Sequence, residues 1–142
     1  MRTYFIKLNI TNPKVDKYLK ERTQYSKIFD CINQYAINWF HLLYGHQNNI
    51  YEIPQLDIML VAHKQDNKVT IYDIVASKPV SFEEIVPYLC FEGVDIIQFG
   101  FNPDWLGIDY NMREYKIDDA NPFAKGDFGV EQEYMIPRML TT

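Results

Sequence analysis

Residues 3–10, "TYFIKLNI", alternate apolar and polar side chains, with Tyr4, Ile6, Leu8 and Ile10 on one side. This is the period of a strand covered on one face. The period then changes. In "TNPKVDKYLKER", Asn12 precedes Pro13, and Val15, Tyr18 and Leu19 fall on one helical face. An Asn cap followed by Pro at the first helical position, where its missing N–H costs nothing, predicts a short amphipathic helix. Over 32–44 the apolar positions Ile32, Tyr35, Ala36, Trp39, Phe40, Leu42 and Leu43 again follow helical spacing, and Gly45 suits a left-handed residue after the last turn.

Three β-rich runs follow: "NIYEI", then "LDIMLVAHK" after Pro54, then "KVTIYDIVA". Asp66-Asn67 separates the last two and predicts the tip of an antiparallel hairpin. Ser81 and Glu84 have the spacing of a capping box, with Val80 and Ile85 as its hydrophobic staple, so a helix is expected to start at Ser81 and to kink or end at Pro87. "VDIIQFGF" reads as a buried strand and "YNMREYKI" as a later alternating one. The order is strand, two helices, a three-stranded meander, helix, strand, loop, strand. It predicts an α+β (mixed α/β) domain: a mixed, largely antiparallel sheet flanked by helices.

Composition narrows the picture. A chain of 142 residues fits a single domain over 1–142 and buries about two-thirds of its unfolded surface. With 47% hydrophobic and 15% aromatic residues it has ample material for a core. The net charge of −5 and the lack of a basic face argue against nucleic acid as a partner. No apolar run reaches the length of a membrane span and no signal peptide is visible, so the expectation is a cytoplasmic protein away from membranes. Cys31 and Cys90 sit in apolar settings and are expected to stay reduced and buried. His41, His46 and His63 lack the spacing of a zinc site, so no metal is expected.

The phrases "NIYEIPQLDIMLV", "VTIYDIVASKPVSFEEI" and "IIQFGFNPDWL", together with the element order, resemble the GNAT superfamily of acyl-CoA-dependent N-acetyltransferases. The phrases also look like a domain found at the C-terminal end of some bacterial GNAT proteins, and the resemblance covers roughly residues 4 to 120. The resemblance implies a sheet splayed beside the helix after its fourth strand, acetyl-CoA as cofactor, and a small-molecule or peptide amine as acceptor. It assigns the coenzyme's diphosphate to the turn "ASKPVSFEE", where Lys78 and the helix start at Ser81 and Phe82 would meet it. Asn102 matches the family's Asn after the fifth strand. Tyr110, or Tyr115 beyond it, matches the Tyr that protonates the departing thiolate.

The chain departs from the family pattern in that turn. It has no glycine, Pro79 lacks an N–H, and Glu83 and Glu84 put negative charge where an anion would sit. A capping box also fills helix-start N–H groups from within the chain. An acetyltransferase further needs a base for the incoming ammonium, and Asp57, His63 and Asp73, with Glu52 behind them, are candidates by position. Asp73 stands out because "IYDIV" sets a carboxylate in an apolar strand, although alternation alone would turn it outward between Tyr72 and Ile74. Three functions follow: an acetyl-CoA-dependent N-acetyltransferase; a non-catalytic GNAT-shaped binding or dimerisation module, a homodimer being one form of it; or, from the abundance of aromatics, a small-ligand sensor with a pocket between splayed strands.

Overall fold

The computed structural model describes residues 5–23, 26, 34–88 and 93–110. Five strands form one mixed sheet in the order β1-β2-β3-β4-β5: β1 Ile6–Lys7, β2 Ile50–Ile53, β3 Ile58–Gln65, β4 Lys68–Ala76 and β5 Ile96–Phe99. Among the described residues three helices accompany it: α1 Pro13–Glu21, α2 Tyr35–Gly45 and α3 Phe82–Ile85. The first three strand pairs are antiparallel and β4–β5 is parallel. Antiparallel neighbours can be joined by a tight turn, whereas a parallel pair needs a crossover, which α3 and its flanking loops supply. The class is therefore α+β.

Local chemistry accounts for most boundaries. The Asn12 side chain accepts the Lys14 N–H at 3.0 Å and starts α1. The Ser81 hydroxyl accepts the Glu84 N–H at 3.2 Å, while the Glu84 carboxylate accepts the Ser81 N–H at 3.3 Å, which completes the capping box. Asp66, at φ 55°, turns the β3–β4 hairpin, a conformation that Asp tolerates better than most L-residues.

Three expectations change. The paired part of β1 is only Ile6–Lys7: Leu8 still bonds Ile50 through its N–H, but the chain then turns at Asn9, whose side chain accepts the Thr11 N–H. Gly45 is the last residue of α2 rather than a left-handed cap, and His46 follows at φ −133°. α3 ends at Pro87 as expected: it lasts four residues before tightening into a 3-10 turn at Val86–Tyr88, because Pro87 cannot donate into an α-helical ladder. β5 is half-exposed rather than buried, with Ile96 facing solvent; the single turn of α3 covers little of it. Cys31, Cys90, Tyr115 and all of "YNMREYKI" beyond Tyr110 lie outside the described residues.

The core lies on both faces of the sheet. Val15, Leu19 and Leu42 from α1 and α2 pack on Ile50, Met59, Val61 and Val75. On the other face Leu60, Ile71, Ile74 and Ala76 meet Val80 and Ile85 from the α3 region and Phe101 and Leu106 from the loop after β5.

Candidate functional site

The sheet opens at the C-terminal end of β4. β4 and β5 pair from Lys68↔Ile96 to Ile71↔Phe99, and the Gly100 N–H closes the pairing on the Ile71 carbonyl at 2.8 Å. Beyond this point β4 runs on without β5. Ala62 of β3 donates its N–H to Asn49 on the β2 side, so by alternation Val61 and Met59 bond towards β4, opposite Asp73 and Val75. The backbone groups of Ile74 and Ala76 therefore face the edge that β5 has left. There the segment after α1 steps in: the Thr23 N–H donates to the Ala76 carbonyl and its hydroxyl to the Ser77 carbonyl, both at 2.9 Å.

The register shifts between Val61 and Ala62, which pair with Asp73 and Ile71 and leave Tyr72 as the extra residue of a β-bulge. Tyr72 packs on the α1/α2 face with Val75, and Asp73, two residues before Val75, lies on that face too. Simple alternation turns Asp73 outward. Instead it is buried, because the face it points to is roofed by helices. Its two oxygens accept both terminal nitrogens of Arg22 at 2.7 and 3.0 Å. The first of these nitrogens also donates to the Asn38 carbonyl oxygen at 2.8 Å, and Asn38, fully buried, donates to Gln34 at 3.4 Å. The guanidinium takes both carboxylate oxygens, so an incoming amine would have to displace it to reach Asp73.

The remaining candidates lie on the other side or at the end of the sheet. Lys78 is exposed on the turn after β4. At the helix start the N–H groups of Ser81 and Glu84 are taken within the capping box, and the Phe82 N–H donates to the Leu106 carbonyl at 3.0 Å. Phe82 also meets the Phe99 ring edge-on at 6.0 Å. The structure thus brings Ser81 and Phe82 against the loop after β5, where Asn102 is buried. Tyr110 stands near Asp104, and burial together with the Asp104 charge pushes its hydroxyl up from the ordinary tyrosine range. Asp104 in turn accepts the Ser26 hydroxyl at 2.6 Å. Asp73 makes its polar contacts with Arg22, just past the end of α1, on the face that α1 and α2 cover, so it does not join Lys78, Ser81, Phe82, Asn102 and Tyr110 in one pocket.

The other proposed bases separate as well. Glu52, 3% exposed, accepts Lys14 at 3.1 Å and the Tyr18 hydroxyl at 2.6 Å, with Asp57 3.4 Å from the same hydroxyl. Burial first, and the two carboxylates next, push the Tyr18 hydroxyl far above its usual range. His63 is exposed and lines a groove of about 590 Å³ with Tyr44, His46, Asn49 and Tyr72. In it the His46 ring lies 4.4 Å from that of Tyr72. Among the described residues no group of three or more His, Cys, Asp or Glu is placed to hold a metal ion, and no helix is long and apolar enough to cross a membrane.

Two members of the central network escaped the sequence reading. Asn38 was detectable, since a polar residue on the same helical face as Leu42 must find a buried partner. Arg22 was not, because nothing in "KER" points to a carboxylate 51 residues away. Compared with models of known families, with curated proteins and with solved structures, the chain matches none.

Proposed function

We propose that this chain is a GNAT-like domain that works as a binding module rather than as an acetyltransferase. The element order, the parallel β4–β5 pair spanned by α3 and the parting of those strands after Ile71 support the GNAT-like reading. One observation carries the loss of chemistry: the helix start that would hold a diphosphate spends the N–H groups of Ser81, Phe82 and Glu84 on the chain itself. Glu83 and Glu84 add two negative charges within one turn, which disfavours an anion there. Asp73, locked on Arg22, agrees with this reading.

The acetyl-CoA-dependent N-acetyltransferase is the second reading, and the edge of β4 favours it. Among the described residues Ile74 has no strand paired with it on the side that β5 has left, where an extended ligand with amide groups could pair as a strand does. In that case Lys78, in the turn that would take the diphosphate, is its cation, and Tyr110 the protonated hydroxyl.

Calorimetric titration of coenzyme A into the full chain separates the two. The binding-module reading expects no saturable heat up to about 1 mM ligand. Micromolar binding that disappears in Lys78→Ala, with the unfolding midpoint unchanged, would establish the acetyltransferase-type site. Micromolar binding indifferent to Lys78 would move the site to the loop from Asn102 to Tyr110.

A further inference from the structure

α2 stops at Gly45, but the sheet beside it runs on. Met59 and Val61 of β3 lie under α1 and α2, whereas His63, two residues further along the same face, is exposed. The bulge in β4 adds Tyr72 to that face. The last turn of α2 and the loop 46–49 wall this uncovered strip, and the result is the groove of about 590 Å³, within the usual size of small-ligand sites. Its walls are held before anything enters. The Asn49 N–H donates to the His46 carbonyl at 2.9 Å, the Asn49 side-chain nitrogen donates to His46 Nδ1 at 3.1 Å, and the Gln47 amide donates to the Leu43 carbonyl at 2.6 Å. The His46 ring is thereby kept 4.4 Å from that of Tyr72, and the Phe40 ring backs Tyr44 at 4.9 Å. A site ordered in advance loses less freedom on binding.

The lining selects the chemistry of the ligand. Among the described residues no Asp, Glu, Lys or Arg lines the groove, so a charged ligand would find no counter-ion there. The partial negative charge at the end of α2 further disfavours an anion. A wholly apolar ligand would cover the amides of Asn48 and Asn49 without giving them a partner. What suits both kinds of lining is a neutral molecule with C–H faces for the tyrosine rings and with hydroxyls, each a donor and an acceptor, for the amides and imidazoles. Tyr44 and Tyr72 each already have an aromatic neighbour, so the groove offers single platforms rather than an open slot that would sandwich a flat base. We propose that this groove is a binding site for a neutral sugar, with Tyr44 and Tyr72 as its platforms and Asn48, Asn49 and His63 as partners for its hydroxyls. The groove lies on the α1/α2 face, away from the turn at Ser81, so this goes beyond the binding-module reading and holds whether or not the chain takes coenzyme A.

Nitrogen-15 NMR of the full chain, titrated separately with glucose, galactose, mannose and N-acetylglucosamine up to about 50 mM, tests this. At least one of the four is expected to shift the backbone amides of 43–49, 63 and 72 saturably, with a Kd on the order of 1 mM. Tyr44→Ala, at a position 79% exposed, should weaken that binding about fivefold or more while leaving the rest of the spectrum in place. His63→Ala should weaken it in the same direction. Should Tyr44→Ala disturb the spectrum beyond the groove, His63→Ala decides alone. The proposal is overturned if none of the four sugars gives a saturable shift, if the shifts fall on other residues, or if both variants bind as the parent does. It is overturned equally if adenosine or tetramethylammonium saturates the same amides more tightly than every sugar, which would make the groove a site for a flat base or a cation. The coenzyme A titration reads the other side of the sheet, so either result can fail without the other.

Discussion

The Arg22–Asp73 pair ties the end of α1 to the middle of β4, and Asn38 adds the start of α2. Both charges are nearly out of solvent, so removing one leaves the other uncompensated. Asp73→Asn is expected to lower stability by about 3–5 kcal/mol. Arg22→Met combined with Asp73→Leu should recover most of this, since an apolar pair of similar volume needs no desolvation of charge. Denaturant midpoints of the single and double variants decide, and a double variant as unstable as Asp73→Asn would show that the network specifies the fold rather than merely satisfying itself. Tyr18 makes a pH-dependent prediction. Its folded hydroxyl titrates above the unfolded value of about 10. Its contribution is therefore complete below that pH and is lost as pH rises towards the folded value. The alkaline fall in unfolding temperature should be shallower in Tyr18→Phe than in the parent. His41 runs the other way: burial depresses it, and its Nε2 is buried without a partner among the described residues. Below about pH 6.5 the unfolded chain takes the proton first, so stability falls with acid. His41→Leu should flatten that fall, and equal slopes in parent and variant would count against burial as its cause.

At the scale of elements, α3 is the most dependent on its cap. Four helical residues cannot sustain themselves by propensity, so the capping box and the staple of Val80 on Ile85 hold the start of the crossover between two parallel strands. Ser81→Ala is expected to cost about 1 kcal/mol, read as a lower denaturant midpoint with an unchanged slope. An unaltered midpoint would mean that the Phe82–Leu106 bond alone seats the helix. The β3–β4 hairpin is better supported. Nine residues of β4 pair with eight of β3 around a single bulge, and that bulge, by turning Tyr72 and Asp73 to the same face, builds the polar network under α1 and α2.

Over the whole molecule, the sheet is a partition. α1 and α2 cover one face, while α3 and the loop after β5 cover the other. The residues that a reaction would need to combine are distributed across that partition: Asp73 on the first side, Ser81, Phe82 and Asn102 on the second. This distribution supports the proposed binding-module reading.

What the chain settles by itself is local. The 3.6-residue and two-residue periods mark α1, α2 and β2 to β4, and the Asn12 and Ser81 caps, the Asp66 turn and Pro87 mark starts and stops, because each depends on side chains within a few positions of one another. What tertiary structure alone decides is everything that joins distant residues. Whether Asp73 meets solvent or a cation depends on the helices above its face, and Arg22 reaches it only because α1 ends over β4. The bulge at Tyr72 is decided by how β3 pairs, and the absence of a single pocket by which face each candidate lands on. Pairing across 51 residues leaves no local trace in the sequence, because the energy that fixes it is desolvation and charge in a place that exists only after folding.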